Sequence, residues 1–383
     1  MGGGTIGPLI EADEFLNHQI VETFATVLHT DPSWAEKICL MAASKDGRVQ
    51  VAFGLGKYTN RNVLDGYAGI SHGLQQWNVR ASRELGIDIN SLDVSPLRYD
   101  ILEPLKRIRI SLEPNPIQPI AFELVLEGKL PCVTEQREDR RTHLGFRRTA
   151  DQIRYHQIGV ASGWLEICGV REQIDPEDWV MTRDHSWGIR PQVGAPLTDV
   201  APEAMESGDT PQVFAIWNPM LMQNAQGDAF GFHQYHLHYS GRGFKHELLQ
   251  GGFEYANGRR DPLVSLTPNL RFDSKNQRLL GGSISLSLAS GARHIFEVNP
   301  LQGTGFYLAG GLYHGFDGKF HGQWRGTHHV EGEYFEDCTE PSIHKRLGQF
   351  RDCLIEMSEP STGIRGWGNC QTYLHGHWPD LCQ

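Results

Sequence analysis

The chain has 383 residues, of which 39% are hydrophobic and 21% charged, and its formal net charge is −11. That length suits two domains of ordinary size. The acidic balance argues against nucleic-acid and anionic-membrane partners, whose phosphates need clustered Lys and Arg, and no apolar run approaches the roughly 20 residues of a membrane helix.

Residues 1 to 30 read two ways: Leu16, Ile20 and Phe24 are spaced as on a helix face, whereas the β-branched run Ile20 to Val27 favours a strand. Trp34 to Ala43 and Arg48 to Leu55 flank Ser44-Lys45-Asp46-Gly47, a hairpin turn with Gly where positive φ is needed. Val63 to Ile70 and Leu74 to Ala81 flank Ser71-His72-Gly73 in the same way. Period-two alternation is clearest in Lys106 to Glu113, where Ile108, Ile110 and Leu112 alternate with Arg107, Arg109 and Ser111, and in Ile120 to Glu127. Such strands bury one face and wet the other, as in antiparallel sheets. Residues 134 to 150, rich in Arg and Glu, read as a solvated loop.

Tyr155 to Ile167 then pairs with Trp179 to Pro191 across a turn at Gly169. Residues 192 to 211 hold Pro196, Pro202, Pro211, Gly194 and Gly208 and read as a linker. Strands resume at Val213 to Trp217, Phe230 to Tyr239, Phe244 to Tyr255, Gly282 to Leu288, Arg293 to Val298 and Trp324 to Phe335. No run has a long helical period, and 43 glycines and 20 prolines punctuate short strands, so an all-β barrel or sandwich is expected.

The chemistry concentrates in Trp179-Val180-Met181-Thr182-Arg183-Asp184-His185-Ser186-Trp187-Gly188-Ile189-Arg190-Pro191. On a strand, Trp179, Met181, Arg183, His185 and Trp187 share one side, and Val180, Thr182, Asp184 and Ser186 the other. Only one side is expected to look into an apolar interior, which then receives an ionisable group beside bulky apolar ones. A structural explanation is that Trp187 plugs a barrel end with Arg190 packed over it. The chemical one is an acid–base pocket: a carboxyl or imidazole among indoles loses hydration, so Asp184 is held neutral or His185 shifted.

Other motifs are weaker. Gly54-Leu55-Gly56-Lys57 lacks the spacing and context of a nucleotide-binding loop, and no Gly-x-Ser-x-Gly elbow is present. Phe232 to Tyr239 sets His236 and His238 on one strand face, the spacing with which β-proteins present two imidazoles to a metal. A third ligand would come from His314, His321, His328, His329, Glu331 or Glu333; without a defined one, no metal and no other cofactor are expected. Along Trp324 to Tyr334, His329, Glu331 and Glu333 share a face that is either solvated or part of a site. Seven cysteines without a Cys-x-x-Cys read as reduced thiols, and Met1-Gly2-Gly3-Gly4 begins no signal peptide, so a cytoplasmic protein is expected.

Arg183-Asp184-His185-Ser186-Trp187-Gly188 resembles the Asp-His-x-Trp-Gly and Arg-Asp-Arg-Ser-Trp-Gly signatures of the AttH-like and CrtC-like proteins, among them carotenoid hydratases, kievitone hydratase-like proteins and fungal Diels–Alderases. Tyr155-His156-Gln157-Ile158-Gly159 and Gly163-Trp164-Leu165 also resemble that family's approach to the motif. Asp184, His185, Trp187 and Gly188 match the signature. The resemblance implies two lipocalin-like antiparallel β-barrels in tandem, here residues 1–192 and 193–383, and a chemistry of hydration, cyclisation or binding.

The expected function is a cofactor-independent hydratase or dehydratase acting by general acid–base catalysis on an apolar terpenoid-, steroid- or polyketide-like molecule. The alternatives are a hydrophobic-ligand carrier and a cyclase or isomerase of the same fold. Asp184, His185, His236, His238 and Tyr235 are the expected proton-handling residues. Trp187, Trp164, Arg190, Trp217, His233, Tyr313 and His329 are expected to bind substrate. An apolar small molecule is the expected partner, with no nucleic acid and no membrane span; a homodimer is left open.

Overall fold

The computed structural model describes residues 9–16, 18, 29–86, 88, 90–141, 147–199, 211–241, 244–348, 350–378 and 380–382. The strand-or-helix question over residues 19–28 lies outside these. Strand is the dominant regular structure of the described chain, as its β-branched, Gly-punctuated text leads one to expect, and the strands pair antiparallel into two sheets.

The second sheet is a closed barrel of eight strands, running from Gln212–Gln223 to Arg293–Pro300 and completed by Arg351–Glu359 and Ile364–His375; pairing of Arg293–Pro300 with Arg351–Glu359 closes the ring. The alternation of Ile284, Leu286 and Leu288 with serines explains its wall: the three apolar residues are buried in the barrel's core with Phe232, Phe272 and Phe296. The first sheet is an open half-barrel. Its central strands are Trp34–Ser44, Trp179–Ile189 and Arg148–Ile167, and its core gathers Ile38, Leu40, Phe53, Ile110, Phe122, Leu124 and Met181.

The hairpins read from Gly47 and Gly73 are present, with φ of 78° and 58° at these glycines. Two expectations change. Residues 134 to 150 are not simply a solvated loop: Val133–Thr134 and Glu138–Arg141 pair with Arg148–Ile167, and Glu135 is buried. The strand His328–Phe335 does not join its sequence neighbours in the second barrel but lies on the first sheet beside Gln75–Glu84. Its Glu331 and Glu333 hold the buried Arg80, so a long excursion of the second half wraps the first sheet.

The outer face of the half-barrel packs against the closed barrel through Leu130, Ile158, Val160 and Val180 on one side and Leu221, Leu354 and Trp367 on the other. Gly231 lets the two approach closely: a Cβ there would stand 2.6 Å from Leu130 Cδ1 and 3.1 Å from Ile158 Cδ1, so these side chains would have to shift. The expectation that one side of Trp179–Ile189 looks into an apolar interior is therefore corrected. Both sides are covered, because a sheet packed on both faces buries alternate residues in two different environments.

Candidate functional site between the two barrels

Trp179–Ile189 separates two polar networks. On the side of the half-barrel's core, Glu14 receives Arg183 as a bidentate pair at 2.6 and 2.8 Å, and Tyr155 donates to the same carboxylate at 3.1 Å. His185 is fully buried there, with Nδ1 3.0 Å from the Tyr155 hydroxyl and Nε2 2.9 Å from Glu36. Glu36 also faces His18, whose ring stacks on Trp187 at 3.6 Å between centroids. Burial would raise the Glu36 carboxyl, but the hydrogen bonds from His18 and His185 outweigh it and hold it down at about 2. Both ring nitrogens of His185 are thus occupied by neighbouring side chains.

On the other side, facing the closed barrel, the register sets Asp184 opposite Cys39 and His156. Arg154 Nε lies 3.4 Å from Asp184 Oδ2, and its Nη1 lies 3.3 Å from Glu135 Oε2. Glu135 Oε1 accepts from Trp217 Nε1 at 2.9 Å and lies 3.1 Å from His156 Nδ1. The opposite nitrogen of His156 meets Glu254 of the closed barrel at 3.0 Å. His233 stacks on His156 at 4.0 Å between centroids. The row Asp184, Arg154, Glu135, His156, Glu254 alternates in charge and crosses from one barrel to the other, so each buried ion has a counter-ion, as burial requires.

Burial pushes the Asp184 carboxyl up; Arg154 opposes this and Glu135 adds to it. Burial would lower His156, but the Glu254 and Glu135 charges outweigh it and raise it to about 9. Burial and the neighbouring His156 take His233 down to about 3, so it is a neutral imidazole. Farther along the same face, Thr182 donates to Asn369, which with Gln371 donates to Asp352; burial raises Asp352 to about 7. Arg190 donates to Ser186 at 3.0 Å and to the Tyr313 hydroxyl at 3.2 Å.

A cleft of about 140 Å³ opens beside the Arg154 and Glu135 part of this row, with Asp184 behind Arg154; it is lined by Glu135, Glu138, Arg140, Arg154, Tyr235 and Gln250 among others. Most of its lining residues are polar or charged, and Ile153 and Leu248 add apolar wall. That is the volume of a few water molecules and well below the roughly 300 Å³ at which drug-sized ligands become enclosed, so it admits one end of a larger molecule.

Of the expected site residues, the structure sets Asp184, Trp217, His233, Tyr235, Arg190 and Tyr313 on surfaces that face between the barrels. His185 and Trp187 stand behind them, on the core side of the same strand. His236 and His238 alternate with Tyr235 and share the barrel-interior side with Phe232; His236 meets Phe214 and His238 meets Glu247 and Trp378. Trp164 is remote, under Arg171, and His329 is half-exposed beside Glu331. Sequence reasoning missed Glu135, Arg154 and Glu254, and noticed His156 only as part of a motif. Arg154 and His156 share a strand parity, but nothing local shows which parity faces the second barrel.

A model of a family described as a family of unknown function (DUF8625) matches residues 9–344. No curated protein matches the chain by sequence. Among solved structures, CghA with Sch210972 is similar with a TM-score of 0.50 and 12% identity, over 95% of this chain and 98% of that one. A Nitrosomonas europaea protein assigned as an AttH has a TM-score of 0.47 and 11% identity, over 89% and 92% of the two chains. Kievitone hydratase from Nectria haematococca has a TM-score of 0.42 and 10% identity, over 89% and 88%. The CghA likeness spans both sheets, and the two-barrel fold implied by the resemblance in the sequence is the one observed.

Proposed function

As the chain belongs to the DUF8625 family, whose function is unknown, its chemistry has to be read from its own side chains, and we propose that it is an acid–base enzyme of the hydratase or dehydratase kind, working in the cleft between its two barrels. The observation that carries this reading is the Asp184 carboxyl. It is raised by burial, stands on the inter-barrel face, and shares Arg154, the cation with the largest hold on it, with Glu135. A carboxyl in that condition is partly protonated nearer neutrality than an exposed one, which suits it to give a proton to an alkene or a leaving hydroxyl and to take one back.

His185 is left out of the chemistry, because Tyr155 and Glu36 already occupy both its nitrogens. Tyr235 and Arg154 line the cleft and are placed to hold an oxygen of the substrate, and Trp217 presents an indole whose N–H is held by Glu135. The charged mouth favours an oxygenated polyketide- or terpenoid-like molecule over a bare hydrocarbon, since a hydrocarbon would leave these groups without partners. In the hydration direction, the Asp184 proton goes to one alkene carbon, water adds to the other, and the proton released by that water restores the carboxyl. In the dehydration direction the Asp184 proton goes to the leaving hydroxyl, water departs, and a β-proton of the cation returns to the carboxylate; a cyclase variant differs in that a second double bond of the substrate captures the cation.

Incubation in ¹⁸O-water with a panel of oxygenated polyketide and terpenoid alkenes and alcohols, followed by mass spectrometry, tests the reading. Gain of one ¹⁸O-labelled water by an alkene, or loss of one unlabelled water from an alcohol, is expected with the native chain and not with Asp184→Asn. A compound that binds and is recovered unchanged by both proteins identifies a carrier instead. Equal turnover by both removes Asp184 from the chemistry.

A further inference from the structure

Among the described residues, two groups of His and carboxylate side chains bring three ligand atoms within 4.8 Å of one another: His18, Glu36 and His185, and Glu135, His156 and His233. They differ in what their nitrogens already do. In the first group His18 and His185 are each bonded at both ring nitrogens, to Glu36 and Asp13 and to Glu36 and Tyr155. In the second group His233 is buried, and its Nε2 has no hydrogen-bond partner although it stands 3.5 Å from Glu135 Oε1. A buried polar atom without a partner calls for an explanation, and an ion is one.

We propose that Glu135, His156 and His233 form a zinc-class metal site that joins the two barrels. Around a tetrahedral ion with metal–ligand bonds of roughly 2.0–2.1 Å, neighbouring ligand atoms stand roughly 3.3–3.4 Å apart. Glu135 Oε1 lies 3.1 Å from His156 Nδ1 and 3.5 Å from His233 Nε2, which bracket that spacing. The surroundings are those of a metal-binding histidine. His156 Nε2 meets Glu254 at 3.0 Å, so a carboxylate orients the ring and leaves Nδ1 for the ion. Arg154 engages the other oxygen of Glu135, so that Oε1 faces the two imidazoles. Two nitrogens and one oxygen suit zinc and its neighbours and leave a fourth position for water. Binding replaces the proton on His156 Nδ1, which is released to solvent, while Nε2–H stays with Glu254. Glu135 and His156 belong to the first sheet and its flanking loop and His233 to the closed barrel, so the ion ties one to the other.

The full-length chain, stripped with a chelator and titrated with Co(II), tests this. One equivalent should produce the intense visible bands of four-coordinate cobalt, and Zn(II) should raise the thermal midpoint. His233→Phe keeps a ring stacked on His156 but removes the ligand, and it should lose both effects; Glu135→Gln serves in its place if that variant does not fold by far-UV circular dichroism. Absence of the bands in the native chain overturns the proposal, as does a spectrum kept by His233→Phe or one lost in His18→Phe, which would put the ion in the other cluster. Asp184→Asn should bind cobalt as the native chain does, so the site and the proposed reaction fail separately.

Discussion

Arg154 stands between Asp184 and Glu135, 3.4 Å from one carboxylate and 3.3 Å from the other. It is the largest influence that holds the Asp184 carboxyl down against burial. If Asp184 acts as a general acid, it must carry its proton, and kcat/KM falls as the pH rises through its pKa. Arg154→Met removes the opposing charge, so the alkaline limb of the kcat/KM profile should move to higher pH. A profile that does not move dissociates Arg154 from the acid.

Asp184 also has a consequence for stability. Its folded pKa is raised, so the folded state holds its proton more tightly than the unfolded state does. Between the two pKa values the native state binds more protons, and stability falls as the pH rises through that window. At pH 7, above the unfolded value of 3.8, the contribution of that proton is diminished, so an ionisable carboxyl here destabilises the fold relative to a neutral side chain. Asp184→Asn should raise the thermal midpoint at pH 7, and the gain should vanish near pH 3, where the native residue is also protonated. A lowered midpoint at pH 7 would show the Arg154 pair to be net stabilising.

How much of this was legible depends on which residues are considered. The alternation of Ile284, Leu286 and Leu288, and the turns at Gly47 and Gly73, are local patterns, and the strands they mark are present. The two-sided character of Trp179–Ile189 was visible as parity, but not which parity faced what, because both sides are buried. The same limit separates Tyr235 and His233, which face the first sheet, from His236 and His238 on the same strand. Glu135 was hidden in a string of Arg and Glu that resembles a solvated loop; only pairing with Arg148–Ile167 brings it inside. The strand His328–Phe335 pairs with a partner some 250 residues earlier, where Arg80 meets Glu331 and Glu333 and Phe335 is buried, and no local signal announces that long-range pairing.

The Glu14–Arg183 pair is a scaffold element by its burial and its bidentate geometry. Glu14→Gln leaves an uncompensated guanidinium inside the half-barrel and should cost about 3–5 kcal/mol, read from the urea midpoint at pH 7. Burial raises the Glu14 carboxyl, but the Arg183 charge and hydrogen bonds take it below its usual value. Its contribution is therefore present above the unfolded value of 4.5 and is lost as the pH falls through the folded one. The native chain should weaken over that acid range by more than the variant does.

His156 behaves in the opposite sense. Burial would lower it, yet the charges of Glu254 and Glu135 raise it to about 9 against an ordinary 6.5. Its folded pKa lies above its unfolded one, so its contribution is fully present below pH 6.5 and is lost as the pH rises to about 9. The chelator-stripped native chain should lose on the order of a few kcal/mol of stability across that window. Because the imidazolium bridges Glu135 and Glu254 across the two barrels, the loss should appear as an earlier separation of barrel from barrel. Trp217, whose N–H is held by Glu135, reports it through its fluorescence. His156→Gln, which carries no titrating proton, should show a lower midpoint below pH 6.5 and a flat one above it. A native chain whose midpoint is unchanged between pH 6.5 and 9 would mean that the imidazole is neutral there and that the charge row is broken at its centre.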